Sequence, residues 1–124
     1  MFVHIDLARP FSPRQDNQVY GMDQLLDMAA YPRARAITFF AITDSSVNAA
    51  LTVRVVGSDG PDPNGGFSNL GESQVSTANK FSRMVFSINM AAAPFPFYGL
   101  TFDTTPVAPS AGVCWAYALI WWGE

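Results

Sequence analysis

Val113-Cys-Trp-Ala-Tyr-Ala-Leu-Ile-Trp-Trp122 is an almost unbroken apolar run that holds all three tryptophans of the chain. Its length and its aromatic and aliphatic content read as one strand that is covered on both faces. By the two-residue period of a strand, Val113, Trp115, Tyr117, Leu119 and Trp121 share one face. Cys114, Ala116, Ala118, Ile120 and Trp122 share the other. The first face is bulky and the second mostly small. The bulky face is expected to fill the core of a sandwich, with Trp115, Tyr117 and Trp121 as core anchors. The small face, ending in Trp122, is expected to admit a helix, a sheet or a second copy of the chain. A central strand buried within one chain is the other reading of the same pattern.

Working outward from that strand, shorter strands alternate with turn-rich links. Phe97–Asp103 puts Tyr98, Leu100 and Phe102 on one face, and Ser82–Asn89 does the same with Met84, Phe86 and Ile88. Gln74–Ala78 reads as a weaker strand. Ala49–Gly57 alternates Leu51, Val53 and Val55 against Thr52 and Arg54. Ala36–Thr43 precedes it, and the short Asp/Ser/Asn link 44–48 predicts that these two strands pair as a hairpin. Phe2–Leu7 is a first strand, and 9–17 is an arm in which Pro10 and Pro13 deny regular structure. Ser58–Gly66, rich in Gly and Pro, is expected to be an exposed tip. Thr104–Gly112 is another loop and 91–96 a connector.

Met22–Ala30 is the one helical segment, about two turns long. Leu25, Leu26, Met28 and Ala29 form its apolar stripe, Asp23 lies near its start, and Tyr31-Pro32 ends it. The sum is an all-β fold: an antiparallel β-sandwich, jelly-roll-like, of about seven or eight strands with one short helix. Residues 1–124 form a single domain, of which 1–17 are the N-terminal strand and arm.

Composition narrows the function classes. Charged residues are 14% of the 124 and hydrophobic residues 49%, against roughly 25% charged in an average soluble protein. Mean hydropathy is +0.14. Lys80 is the single lysine; the other six cations are arginines. Arginine is favoured and lysine depleted where proteins meet, although genomic codon bias would give the same count. A net charge of −3 argues against nucleic-acid binding. Met1-Phe-Val-His-Ile-Asp-Leu7 has a His and an acid where a leader would be apolar, so synthesis in the cytoplasm is expected. No stretch approaches the ~20 apolar residues of a membrane helix, and the strands lack the lipid-facing bands of a membrane barrel.

Little in the sequence points to catalysis. His4, the only histidine, shares a strand face with Phe2 and Asp6, but no Gly-x-Ser-x-Gly elbow accompanies the pair. One His and one Cys cannot hold a structural metal. Asp59, Asp62 and Asn64 share a loop, yet their spacing misses the EF-hand pattern and Pro61 and Pro63 suit a rigid turn. Two glutamates, one of them Glu124, make poor glycosidase carboxylates. Cys114 lies in the apolar run and reads as a small buried hydrophobe. No cofactor, metal or catalytic residue is expected.

The Met1–Leu7 start, the proline-broken arm 9–17, the β core 36–103 and the apolar end 113–124 together resemble the small head proteins of tailed bacteriophages. The likeness is to capsid decoration, or cement, proteins above all. That resemblance implies a non-enzymatic virion protein, made in the host cytoplasm and placed on the capsid surface. It implies a homo-oligomer, commonly a trimer, that bridges copies of the major capsid protein. Phe11 and Arg14 of the arm, Arg33 and Arg35, and Trp122 are the candidate interface residues. The alternative is a small carbohydrate-binding β-sandwich module, in which exposed Trp and Tyr rings stack on a sugar.

Overall fold

Alternation of apolar and polar residues makes most of this chain half-buried strand. The computed structural model describes residues 1–11, 25–60, 68–90, 95–103 and 113–122. Through them run β1 (Phe2–Phe11), β2 (Leu26–Asp27), β3 (Ala34–Thr43), β4 (Thr52–Ser58), β5 (Ser68–Val75), β6 (Ser82–Asn89), β7 (Phe97–Asp103) and β8 (Cys114–Trp122). They form a front sheet, β1-β8-β3-β6, and a back sheet, β2-β7-β4-β5. All pairings are antiparallel, so the fold is the expected antiparallel β-sandwich.

The pairing pattern fixes the winding. β4 pairs with β5, β3 with β6, β2 with β7 and β1 with β8. The chain is thus one long ribbon doubled back at β4–β5. Rolling the ribbon brings β3 against β8 and β4 against β7, which closes each sheet. This is the double-sheet jelly roll.

The core lies between the sheets and is built around Phe39, Phe86, Tyr98 and Phe102, each at most 1% exposed. These rings decide how β8 sits. Ala118 lies in one row with Phe39 and Phe86, and Ala116 with Ala41 and Met84. Sheets pack about 10 Å apart, and the rings already occupy that gap, so in these rows only small side chains fit the inner side of β8. Cys114, Ala116, Ala118 and Ile120 are buried there. Trp115, Tyr117 and Leu119 are half-buried and Trp121 is 37% exposed. Trp115, Tyr117 and Trp121 are therefore not core anchors, and β8 faces the opposite way from the sequence expectation.

Three other expectations are corrected. Within 25–30, the helix is replaced by β2 and a single 3₁₀ turn, Met28–Ala30. Leu26 pairs with Tyr98, and the Met28 N–H donates to the Pro96 carbonyl at 2.9 Å. The edge of β7 thus claims backbone groups a helix would need; positions 22–24 lie outside the described residues. β3 and β4 do not form a hairpin, because β3 is flanked by β6 and β8 in the front sheet while β4 lies in the back sheet. Their link crosses between sheets through an Asx turn. Asp44 Oδ1 accepts from the Ser46 N–H at 3.0 Å and the Val113 N–H at 3.3 Å, tying the link to the start of β8. The Ser46 hydroxyl, foremost among these donors, holds the Asp44 carboxyl below its ordinary value.

The arm, finally, begins later than expected: 9–11 continue β1, with Phe11 opposite Cys114 and register shifts on both sides of Ala8. β1 is an edge strand, where proline is tolerated. Arm positions 12–17 and tip positions 61–66 lie outside the described residues.

Two details keep the sandwich closed. The Gln74 side-chain amide, from edge strand β5, both donates to the Val85 carbonyl and accepts from the Val85 N–H on edge strand β6. It occupies backbone groups that would otherwise invite an added strand. Gly57 leaves room for Phe95: a β-carbon there would come within 2.5 Å of that ring.

Candidate functional site

Turning the large side of β8 outward creates the most distinctive surface among the described residues. On the outer side of the front sheet, the registers align side chains in rows across the strands. One row reads Val85–Phe40–Tyr117–Asp6, the next Ser87–Thr38–Leu119–His4, and the next Asn89–Ala36–Trp121–Phe2. Arg83, Ile42 and Trp115 form a shorter row at the other end. Cross-strand neighbours of this kind are within contact distance.

The rings pack on one another. Phe40 stacks on Tyr117 with centroids 4.6 Å apart and planes 13° from parallel. His4 lies 4.8 Å from Tyr117, and Phe2 lies 4.9 Å from Trp121. The Arg83 guanidinium sits over Phe40, its carbon 4.6 Å from the centroid, a cation–π distance. The Trp121 indole N–H donates to Thr38 Oγ1 at 3.0 Å. The His4 Nε2 lies 3.1 Å from Asp6 Oδ1 at the β1 edge. An aromatic belt thus crosses all four strands, from His4 through Tyr117 and Phe40 to Arg83.

Apolar groups remain exposed along it: Phe2 is 52% exposed and Val85 40%. The grid carries one Arg, one Asp and one His, and neither Lys nor Glu. The back sheet differs. There Leu25, Val56 and Phe97, out of phase with core-facing Leu26, Val55 and Tyr98, gather into their own small cluster. Leu25 and Val56 are fully covered within the chain.

The candidate interface residues separate. Arg33 and Trp122 come together, lining an apolar hollow of about 200 Å³ with Tyr31, Pro32 and Ala34. Arg35 is exposed on β3. Phe11 belongs to β1, and Arg14 lies outside the described residues. A second hollow, about 260 Å³, lies between β1 and the β2 segment and includes Asp6 and Asp27. The sequence reading missed Phe40, Thr38, Val85 and Arg83 as members of the outer face. One signal was present: Phe39 and Phe40 are adjacent in a strand, so one of them must point away from the core.

Chemically, this face offers stacking surface, one guanidinium and one carboxylate. Among the described residues no group of three or more His, Cys, Asp or Glu side chains is placed to hold a metal ion, and no helix is long and apolar enough to cross a membrane. Cys114 is buried; burial first, and the Asp44 carboxylate second, push its thiol up to about 12 from 9.0. A thiol labelling reagent at pH 8 is expected to leave the native protein unmodified and to react on unfolding. Because folding disfavours the thiolate, the thiol's contribution to stability is complete below pH 9 and is lost as pH rises toward about 12. Rapid labelling of the native chain would contradict this burial.

Neither the protein-family models nor the curated proteins give a match to this chain.

Proposed function

We propose that this chain is a non-enzymatic structural protein of a virus particle, a decoration or cement protein that self-associates and reinforces the shell formed by the major capsid protein. Viral coat domains, lectins and cupins all use the jelly roll, so the winding alone does not choose among them. The observation that carries the reading is the outer face of the front sheet, where Phe40 stacks on Tyr117, His4 and Phe2 pack at a tilt on Tyr117 and Trp121, and the described residues of the rows include a single Arg and no Lys or Glu. Trp, Tyr and Arg are the residues that dominate binding energy where proteins meet, and Lys and Glu are depleted there. A lattice of such contacts, each modest, stiffens a shell through avidity.

Mass spectrometry and electron microscopy of virus particles from the natural source are expected to find the chain in many copies at symmetric positions on the capsid. Particles of full composition without it would overturn the proposal.

A second reading, a carbohydrate-binding module, draws on the same outward rings and on the His4–Asp6 pair beside Tyr117. Titration with oligosaccharides separates the two. A saturable change in tryptophan fluorescence supports sugar binding; a flat response supports the protein contact.

A further inference from the structure

We infer that the outer face of the front sheet pairs with the same face of a second copy, about a two-fold axis that runs along the strands between β8 and β3. This rests on the self-associating reading above and deepens it by fixing the partner and the axis.

The face divides into two unequal halves. On the β1–β8 side stand Phe2, His4, Tyr117, Leu119, Trp121 and Trp115. On the β3–β6 side, Ala36, Thr38, Ser87 and Asn89 are shorter and fill two of the four rows, while Phe40, Val85, Ile42 and Arg83 fill the other two. An axis along the strands exchanges β8 with β3 and β1 with β6 while keeping the rows level. Trp121 then lies over the second copy's Ala36, Leu119 over its Thr38, His4 over its Ser87 and Phe2 over its Asn89. In these two rows each tall side chain meets a shorter one, twice by symmetry, as an isologous contact requires; in the other two rows Tyr117 lies over Phe40 and Trp115 over Ile42. Turning the axis across the strands instead would set β8 on β8, ring against ring, and leave the short halves apart.

Charge selects the same axis. Arg83 and Asp6 stand on opposite edges of the sheet, and the Arg83 guanidinium lies over Phe40, in the row of Asp6. Exchange of β3 with β8 carries the second copy's guanidinium over Tyr117, about one strand spacing, ~4.8 Å, from Asp6. It is then held between two rings and within reach of the carboxylate. The across-strand axis would instead bring like edges together, Asp6 near Asp6 and Arg83 near Arg83. Juxtaposed like charges oppose association.

The extent is adequate. Four strands at ~4.8 Å and four rows at ~6.8 Å cover on the order of 500 Å² before side-chain relief is counted. That approaches the roughly 800 Å² per partner of a standard interface. A three-fold arrangement places unlike patches in contact, so trimers, if formed, use other surfaces.

Sedimentation equilibrium of the full chain at micromolar concentration tests the pairing. The wild type is expected to contain the dimer. Asp6→Arg and Arg83→Asp alone are each expected to weaken it about tenfold or more. The two together are expected to restore it to within about threefold, as a compensating pair does. Ala36→Trp is expected to abolish pairing, and Trp121→Ala in the same chain to recover part of it. Thermal melts confirm that each variant folds. An oligomer unaffected by these changes would overturn the inference and leave self-association standing. Loss without rescue in both pairs would overturn the axis. A monomeric wild type would overturn both the inference and the self-association on which it rests.

Discussion

Phe39→Ala is expected to cost about 3–5 kcal/mol, the range for removing a large ring from a packed core. Phe39 is fully buried on the inner side of β3, with its centroid 6.5 Å from that of Tyr98 across the sandwich. A loss of that size is a large part of the roughly 5–15 kcal/mol that holds a domain folded. Trp115→Ala removes a larger ring, yet Trp115 is only half-buried on the outer side. It is expected to cost roughly half as much or less, because less area leaves contact. Urea denaturation checks both through the shift in midpoint at constant slope. Comparable losses would mean that Trp115 belongs to the core after all.

Ala118→Leu is expected to destabilise by about 1–3 kcal/mol or more, although it adds apolar volume. Ala118 is completely buried and lies in register with Phe39 and Ile5 on either side. Its added branches have nowhere to go. The same enlargement should be milder when Phe39 is already Ala, because the two sites share one volume. A double-mutant cycle is expected to show a coupling of about 0.5–3 kcal/mol in the compensating direction. Simple additivity would show that the inner row is less tightly filled than its burial implies.

These two experiments bear on the point where sequence and structure part. β6 and β7 are legible from the chain alone because each has one apolar side: Met84, Phe86 and Ile88 in one, Tyr98, Leu100 and Phe102 in the other, all buried as expected. β8 has two apolar sides, so alternation defines its faces without orienting them. Orientation depends on the volume left by Phe39, Phe86, Tyr98 and Phe102, which come from distant parts of the chain. Sequence alone thus picks out the right aromatic residues and puts them on the wrong side.

The helix failed for a related reason. Leu25, Leu26, Met28 and Ala29 fit a helical stripe, but they fit equally a short strand and turn once β7 offers backbone partners. The hairpin failed because a short link reveals proximity of two strand ends, not whether the chain has changed sheets. The outer face was half legible, since its rings are visible in the sequence but its rows require the register.

The doubled-back ribbon has a kinetic consequence. Its β4–β5 bend joins neighbours in sequence, whereas β1 and β8 bring Phe2 to Trp121. Closing long loops costs entropy before any contact compensates for it, so formation should proceed outward from the bend and refolding should be slow, in the millisecond-to-second range of high-contact-order β proteins. β8 enters between β1 and β3, and until it does, Tyr117 and Trp121 have no sheet on which to be displayed. The aromatic belt is therefore absent from every partly zipped form. Any partner that docked on it would select finished molecules, and incomplete chains would be left out without any separate inspection step.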